Sequence, residues 1–170
     1  MEIERKYLLR SLPDDLEGYP HVEIEQAYLC TSPTLRIRRM GDTCILTVKE
    51  NLVPSHRKGC PSGGVGEESV HPIVNREEEF LLSEDSYQRL KSKCEGGMVE
   101  KTRYRIPLFS ASPLTAELDI FHGIHEGLRL VEVEFPDIEA ADSFVPPSWF
   151  GPDVSSDPHY RNSYLSSVNS

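Results

Sequence analysis

Residues 128–135 read Leu128-Arg129-Leu130-Val131-Glu132-Val133-Glu134-Phe135. From Leu130 onward this stretch places Val131, Val133 and Phe135 on one parity and Glu132 and Glu134 on the other. A period of two is the signature of a half-buried strand. The same period returns in 34–39, Thr34-Leu35-Arg36-Ile37-Arg38-Arg39, where Leu35 and Ile37 alternate with Arg36 and Arg38. It also runs through 1–9, 43–49, 75–82, 98–108 and 115–121, and less cleanly through 22–30. These eight segments, mostly joined by short Gly, Pro or Asp turns, predict an antiparallel sheet closed on itself, which leaves no exposed edges.

The chain has 170 residues, 38% hydrophobic and 27% charged, which suits one domain with a substantial core. No apolar run reaches the length of a membrane span. The opening Met1-Glu2-Ile3-Glu4-Arg5-Lys6 lacks the pattern of a secretion signal, so a cytoplasmic location is expected. Cys30, Cys44, Cys60 and Cys94 form no C-x-x-C pair and read as free thiols. The six histidines, at 21, 56, 71, 122, 125 and 159, show no metal spacing and are treated as surface or incidental.

Helices are few. Ser83 is a candidate N-cap for a helix through Lys93, with Gly96-Gly97 ending it. A second is expected over 137–144, stopping at Pro146-Pro147, and a short third over 159–168. The Gly- and Pro-rich stretch at about 52–74 reads as a long surface loop inserted in a single domain spanning 1–170. Trp149 reads as a packing anchor. The fold class is therefore α+β, mainly β: an eight-stranded closed barrel with a charged lumen and a few covering helices.

The polar parity is unusual because it is ionised and sorted by kind. Glu2, Glu4 and Lys6 share a face, as do Arg36 and Arg38, Thr47 and Lys49, Glu77 and Glu79, Lys101, Arg103 and Arg105, Glu117 and Asp119, and Glu132 and Glu134. On any single strand such a face is ordinarily solvated. Taken together in a closed barrel these faces share one interior, and an interior so charged must be paired, hydrated or bound to ions. A wet tunnel for a polyanion and its metals meets that condition. The formal net charge of −10 disfavours broad nucleic-acid binding and requires the basic groups to be concentrated where an anion sits. Glu2, Glu4, Glu132 and Glu134 suit Mg²⁺ or Mn²⁺ if the first and last strands are neighbours. Arg36 and Arg38 can grip phosphoryl oxygens bidentately, with Lys6, Lys49 and Lys101 as point charges. No G-x-x-x-x-G-K-[ST] is present.

The ordered set of motifs resembles the CYTH domain, or triphosphate tunnel metalloenzymes. It begins with the E-x-E-x-K of Glu2 to Lys6. It continues through Tyr28-Leu29, Leu35 to Arg38, Leu46 to Lys49, Arg76 to Glu79, Glu100 to Tyr104, Glu117 to Asp119 and Gly127 to Phe135, and ends at Tyr160-Arg161-Asn162. The resemblance implies an eight-stranded tunnel and a hydrolase or cyclase of triphosphates, acting with two divalent ions, Mg²⁺ or Mn²⁺. It implies metal ligation by Glu2, Glu4, Glu132 and Glu134, which with Lys6 form the catalytic set. It implies phosphate binding by Lys6, Arg36, Arg38, Lys49, Lys101 and Arg103. Tyr28, Glu77, Glu79, Glu117 and Asp119 would support these groups, and the tail from Tyr160 to Leu165 would close one end. Arg105 is expected near or beyond the mouth. The leading expectation is hydrolysis of inorganic tripolyphosphate to pyrophosphate and phosphate. The alternatives are a class IV-type adenylate cyclase, a nucleoside or thiamine triphosphatase, and a non-catalytic binder of phosphorylated ligands. The expected partner is a small-molecule triphosphate, with no nucleic acid and no membrane; a homodimer is one arrangement left open.

Overall fold

A computed structural model describes residues 3–52, 74–108 and 113–168. Glu2, Cys60, and residues 53–73 of the expected insert, with His56 and His71, lie outside them. The strands are β1 (Ile3–Leu9), β2 (His21–Thr31), β3 (Thr34–Met40), β4 (Thr43–Leu52), β5 (Val74–Leu82), β6 (Glu95–Leu108), β7 (Leu114–Phe121), β8 (Arg129–Phe135) and β9 (Phe150–Asp153). They form one antiparallel sheet in the order β5-β4-β3-β2-β6-β7-β8-β1-β9. One expectation is corrected: there are nine strands among the described residues, paired in series from β5 to β9. β9 escapes the period-two pattern because Phe150-Gly151-Pro152-Asp153 is short and carries Gly and Pro, which a sheet tolerates at an edge. A Cβ on Gly151 would stand 2.9 Å from the Leu8 carbonyl oxygen, so β9 approaches β1 only with glycine there.

Register follows the alternation. β3 and β4 turn on Gly41-Asp42, with Gly41 at φ +56°, the left-handed conformation that a two-residue hairpin requires. β1 lies directly beside β8, pairing Glu4 with Glu134 and Lys6 with Glu132. The neighbourhood of first and last predicted strands is therefore present, although it is an internal pair of the sheet.

The outward parity is apolar and covered. Tyr7, Ile106, Ala116, Leu118, Val131, Val133 and Phe135 pack with Ala141 of α2 (Ile138–Ser143) and with Phe144, Trp149 and Phe150. Trp149 meets Phe150 edge-on at 4.4 Å, a packing role. Over the other half, α1 (Glu84–Lys91) sets Tyr87 against Ala27, Ile37 and Cys44. Ser83 caps α1, accepting from Ser86 N at 3.2 Å, and Glu84, Asp85, Arg89 and Lys91 complement the helix dipole. The helix ends at Lys91 and not at Gly96-Gly97, which open β6.

The third helix, α3 (Asn162–Ser167), is shorter than expected; Pro158–Tyr160 before it form a separate 3₁₀ turn. Val99, Phe121 and Leu130 continue the inner parity of Lys101, Asp119 and Glu132, and Leu165 of α3 packs on them. The concave face therefore turns apolar where α3 stoppers it. His125, one of the histidines treated as surface or incidental, is half-buried here, its Nε2 3.0 Å from the Leu165 carbonyl oxygen. Gly96 is at φ +78°, and a Cβ there would lie 2.7 Å from the Ser166 carbonyl oxygen. Gly96→Ala is expected to cost about 2–3 kcal/mol through both strains, read as a lowered thermal midpoint. Among the described residues, no helix is long and apolar enough to cross a membrane.

Candidate active site

The inner face encloses a cavity of about 1360 Å³ lined from β1 to β8 and from the segment before α3. The parity explains its lining. Glu4 and Lys6 come from β1, Tyr28 from β2, Arg36 and Arg38 from β3, Lys49 from β4, Glu77 and Glu79 from β5, Lys101 and Arg103 from β6, Glu117 from β7, and Glu132 and Glu134 from β8. Asp119 lies fully buried beneath them. Every expected site residue within the described part is thus brought to one place. Glu78, of opposite parity, does not line the cavity, and Arg105 borders a separate smaller one beside Val22, Met40 and Ile45.

The cations fall into two groups. On one wall Arg38 pairs with Glu79 at 3.0 Å, Lys49 with Glu77 at 3.2 Å, and Arg36 with Glu77 at 3.7 Å. The Thr47 hydroxyl links them, accepting from Arg36 and donating to Glu79, each at 3.2 Å. These bridges border the cavity. Burial, with Arg36 adding to it, lowers the pKa of Arg38, and burial raises that of Tyr28. The Tyr28 hydroxyl therefore keeps its proton and accepts from Gln26 Nε2 at 3.4 Å.

The other wall is locked. Lys101, 2% exposed, donates to Asp119 at 2.5 Å. Arg103 grips Asp119 through Nε and Nη2, both at 2.6 Å, and also binds Glu132 at 2.8 Å and Glu117. Burial works against the Arg103 cation, but Asp119, Glu132 and Glu117 outweigh it and raise its pKa. Burial pulls the pKa of Lys101 down despite Asp119. Lys6 donates to Glu132 at 2.8 Å and to the Tyr160 carbonyl oxygen at 3.3 Å. Burial opposes the charge of Glu132, yet Lys101, Arg103 and Lys6 hold its pKa at about 2. Glu132 is thus ionised at any physiological pH and is a poor proton acceptor.

Of the four expected metal ligands, Glu4, Glu132 and Glu134 are described. Glu4 and Glu134 are direct register partners, and like charges directly opposed on a sheet repel. An all-oxygen donor set of this kind suits a hard divalent cation, so the chemistry of the residues fits. Among the described residues no three acid, His or Cys side chains converge as a metal centre.

Gln26, Thr47, Ser155, Asp157, Arg161, Asn162 and Ser163 also face the cavity, and none of them is assigned a site role from the sequence. The alternation signals Gln26 and Thr47 through their parity with Tyr28 and Lys49. The 155–163 stretch carries no period of two; Tyr160-Arg161-Asn162 enters through the resemblance, and the turn chemistry of Asp157-Pro158 marks the residues before it.

No protein-family model matches the chain. Curated proteins do. An inorganic triphosphatase of Nitrosomonas europaea is 36% identical over 169 residues, covering 96% of this chain and 95% of the relative. An inorganic triphosphatase of Acetivibrio thermocellus is 42% identical over 76 residues, 45% of this chain and 46% of the relative. Among solved structures, an inorganic triphosphatase superposes with a TM-score of 0.69 at 33% identity, covering 98% of this chain and 94% of that one. Full-length similarity of this degree, with the inner-face residues in place, shows that the chain belongs to the CYTH, or triphosphate tunnel, family of triphosphatases.

Proposed function

We propose that this protein hydrolyses the phosphoanhydride bond of a short triphosphate chain, inorganic tripolyphosphate first among its substrates, giving pyrophosphate and phosphate. The observation that carries this reading is the gathering on one concave face of Arg36, Arg38 and Lys49 from one side and Glu4, Glu132 and Glu134 from the other, each side with its own counter-charges. The first wall neutralises and aligns phosphoryl oxygens, with Glu77 and Glu79 yielding their bridges to the incoming anion. Lys6, fixed by Glu132 and the Tyr160 carbonyl, adds a point charge at the facing wall. Glu2, Glu4, Glu132 and Glu134 would hold Mg²⁺ or Mn²⁺, two ions in this reading. A bound divalent ion supplies charge neutralisation at phosphorus and lowers the pKa of water. Lys101, Arg103, Asp119 and Glu117 act mainly by holding the carboxylate wall in shape.

The same reading takes 1–170 as one domain with an insert at about 52–74 and takes β1 to β8 as a closed tunnel. Its support is that β5 and β1, remote in sheet order, line one cavity. The test is phosphate and pyrophosphate release from tripolyphosphate, ATP and thiamine triphosphate, with Mg²⁺, Mn²⁺ or chelator. Metal-dependent orthophosphate from tripolyphosphate, with little from ATP, is expected, and chelator should abolish it. Pyrophosphate and cyclic AMP from ATP would make the protein a cyclase. Tight binding without turnover of any substrate would make it a binder.

A further inference from the structure

The segment 157–163 does more than lead into the stopper helix. Asp157, Arg161, Asn162 and Ser163 line the main cavity. This segment also holds both lysines of the locked wall: the Tyr160 carbonyl accepts from Lys6 Nζ at 3.3 Å, and Asn162 Oδ1 accepts from Lys101 Nζ at 3.4 Å.

Arg161 differs from the other cavity cations. Lys6 has Glu132, Arg36 and Lys49 have Glu77, Arg38 has Glu79, and Lys101 and Arg103 have Asp119. The Arg161 guanidinium makes no hydrogen bond or ion pair with any described residue. The acid nearest in sequence, Asp157, is occupied, accepting from His159 N at 2.9 Å and standing 2.7 Å from its ring Nδ1. For a cation already paired, an anionic ligand gains only the difference between two ion pairs. Arg161 is exposed, so its guanidinium is hydrated: a phosphoryl oxygen replaces water there with a charge-assisted bond, and no internal bridge has to break. The planar fork matches phosphoryl oxygens bidentately.

We infer that Arg161 is a substrate-binding residue, the guanidinium that the closing segment brings to a phosphoryl group of the bound polyphosphate. This rests on the triphosphatase reading above. It makes the segment before α3 part of the binding site as well as its wall.

The experiment compares wild type with R161A, R161K and R89A. Calorimetry gives Kd for tripolyphosphate under chelator, and steady-state kinetics with Mg²⁺ give KM and kcat. Arg89 pairs with Asp85 on the exposed surface of α1, so R89A removes the same charge away from the cavity. R161A should raise both Kd and KM roughly tenfold or more, in line with loss of a charge-assisted hydrogen bond. R161K should recover part of the loss, and R89A should match wild type. The thermal midpoint of R161A should stay at the wild-type value, because the side chain is exposed and makes no hydrogen bond or ion pair with a described residue. Unchanged Kd and KM in R161A would overturn the inference. So would an equal loss in R89A, which would reduce the effect to net charge, or a lowered midpoint in R161A accounting for the loss. Wild type that binds tripolyphosphate without hydrolysing it would defeat the triphosphatase reading while the Kd comparison still decides Arg161. Wild type that neither binds nor hydrolyses it would defeat both.

Discussion

Glu132→Gln is expected to lower kcat for tripolyphosphate by roughly 100- to 1000-fold while the protein stays folded, the scale seen when a preorganised charge is removed from an active site. Glu132 stands in the middle of a cross-strand row, between Lys6 of β1 and Glu117 of β7. Its pKa of about 2 means that the wild-type side chain is a fixed negative charge. Glutamine keeps the shape and removes the charge. Lys6 and Arg103 then lose a carboxylate, so tripolyphosphate affinity measured under chelator should hold or tighten. A fall in kcat with affinity retained or improved separates a metal-holding carboxylate from a substrate ligand. Wild-type kcat with Mg²⁺ in the variant would remove Glu132 from the metal-binding set. Stability has its own sign. A depressed carboxyl pKa contributes stability above its ordinary value of 4.5, and that contribution is lost as pH falls toward about 2. The stability gap between wild type and E132Q should therefore narrow across that interval, followed by chemical denaturation.

Most of this architecture is legible because a period of two assigns every side chain to a face. The parity of 34–39, 43–49, 98–108, 115–121 and 128–135 alone brings Arg36, Lys49, Lys101, Glu117 and Glu132 to one cavity. Parity does not say whether the two ends of a curled sheet meet, and the described pairs end at β5 and β9. Nor does it reveal how charges are spent. The resemblance implies phosphate binding by Lys101 and Arg103, and only the register of β6 against β7 shows that Arg103 lies opposite Asp119 and pairs with it. β9 and the turn at 155–158 leave no period-two signal for a common reason. Both are placed by glycine, proline and capping side chains at close backbone approaches, as at Gly151 and Asp157, and such contacts leave no periodic trace.

The largest effect on stability is expected from Asp119→Asn, about 3–5 kcal/mol, the usual result of breaking a buried ion pair from one side. For a chain of this size that lowers the thermal midpoint by on the order of 10 °C. Asp119 is fully buried and receives Lys101 Nζ at 2.5 Å and two Arg103 nitrogens at 2.6 Å. Arg103 keeps Glu117 and Glu132 in the variant, whereas Lys101 keeps, among the described residues, only neutral amide oxygens within direct reach, that of Asn162 and that of the new side chain. The damage should therefore concentrate on Lys101, whose pKa burial already depresses and Asp119 supports. Without Asp119 that pKa falls further. A base whose folded pKa lies below its unfolded value costs stability while protonated, and the cost disappears as pH rises toward the ordinary lysine value. The deficit of D119N against wild type should accordingly shrink with rising pH, opposite in direction to the acid-side behaviour of E132Q. Adding K101M removes the stranded ammonium and should restore at least half of the lost stability without restoring turnover. A D119N deficit under about 1 kcal/mol, or one flat with pH, would mean that the Asp119–Lys101 pair does not hold the locked wall.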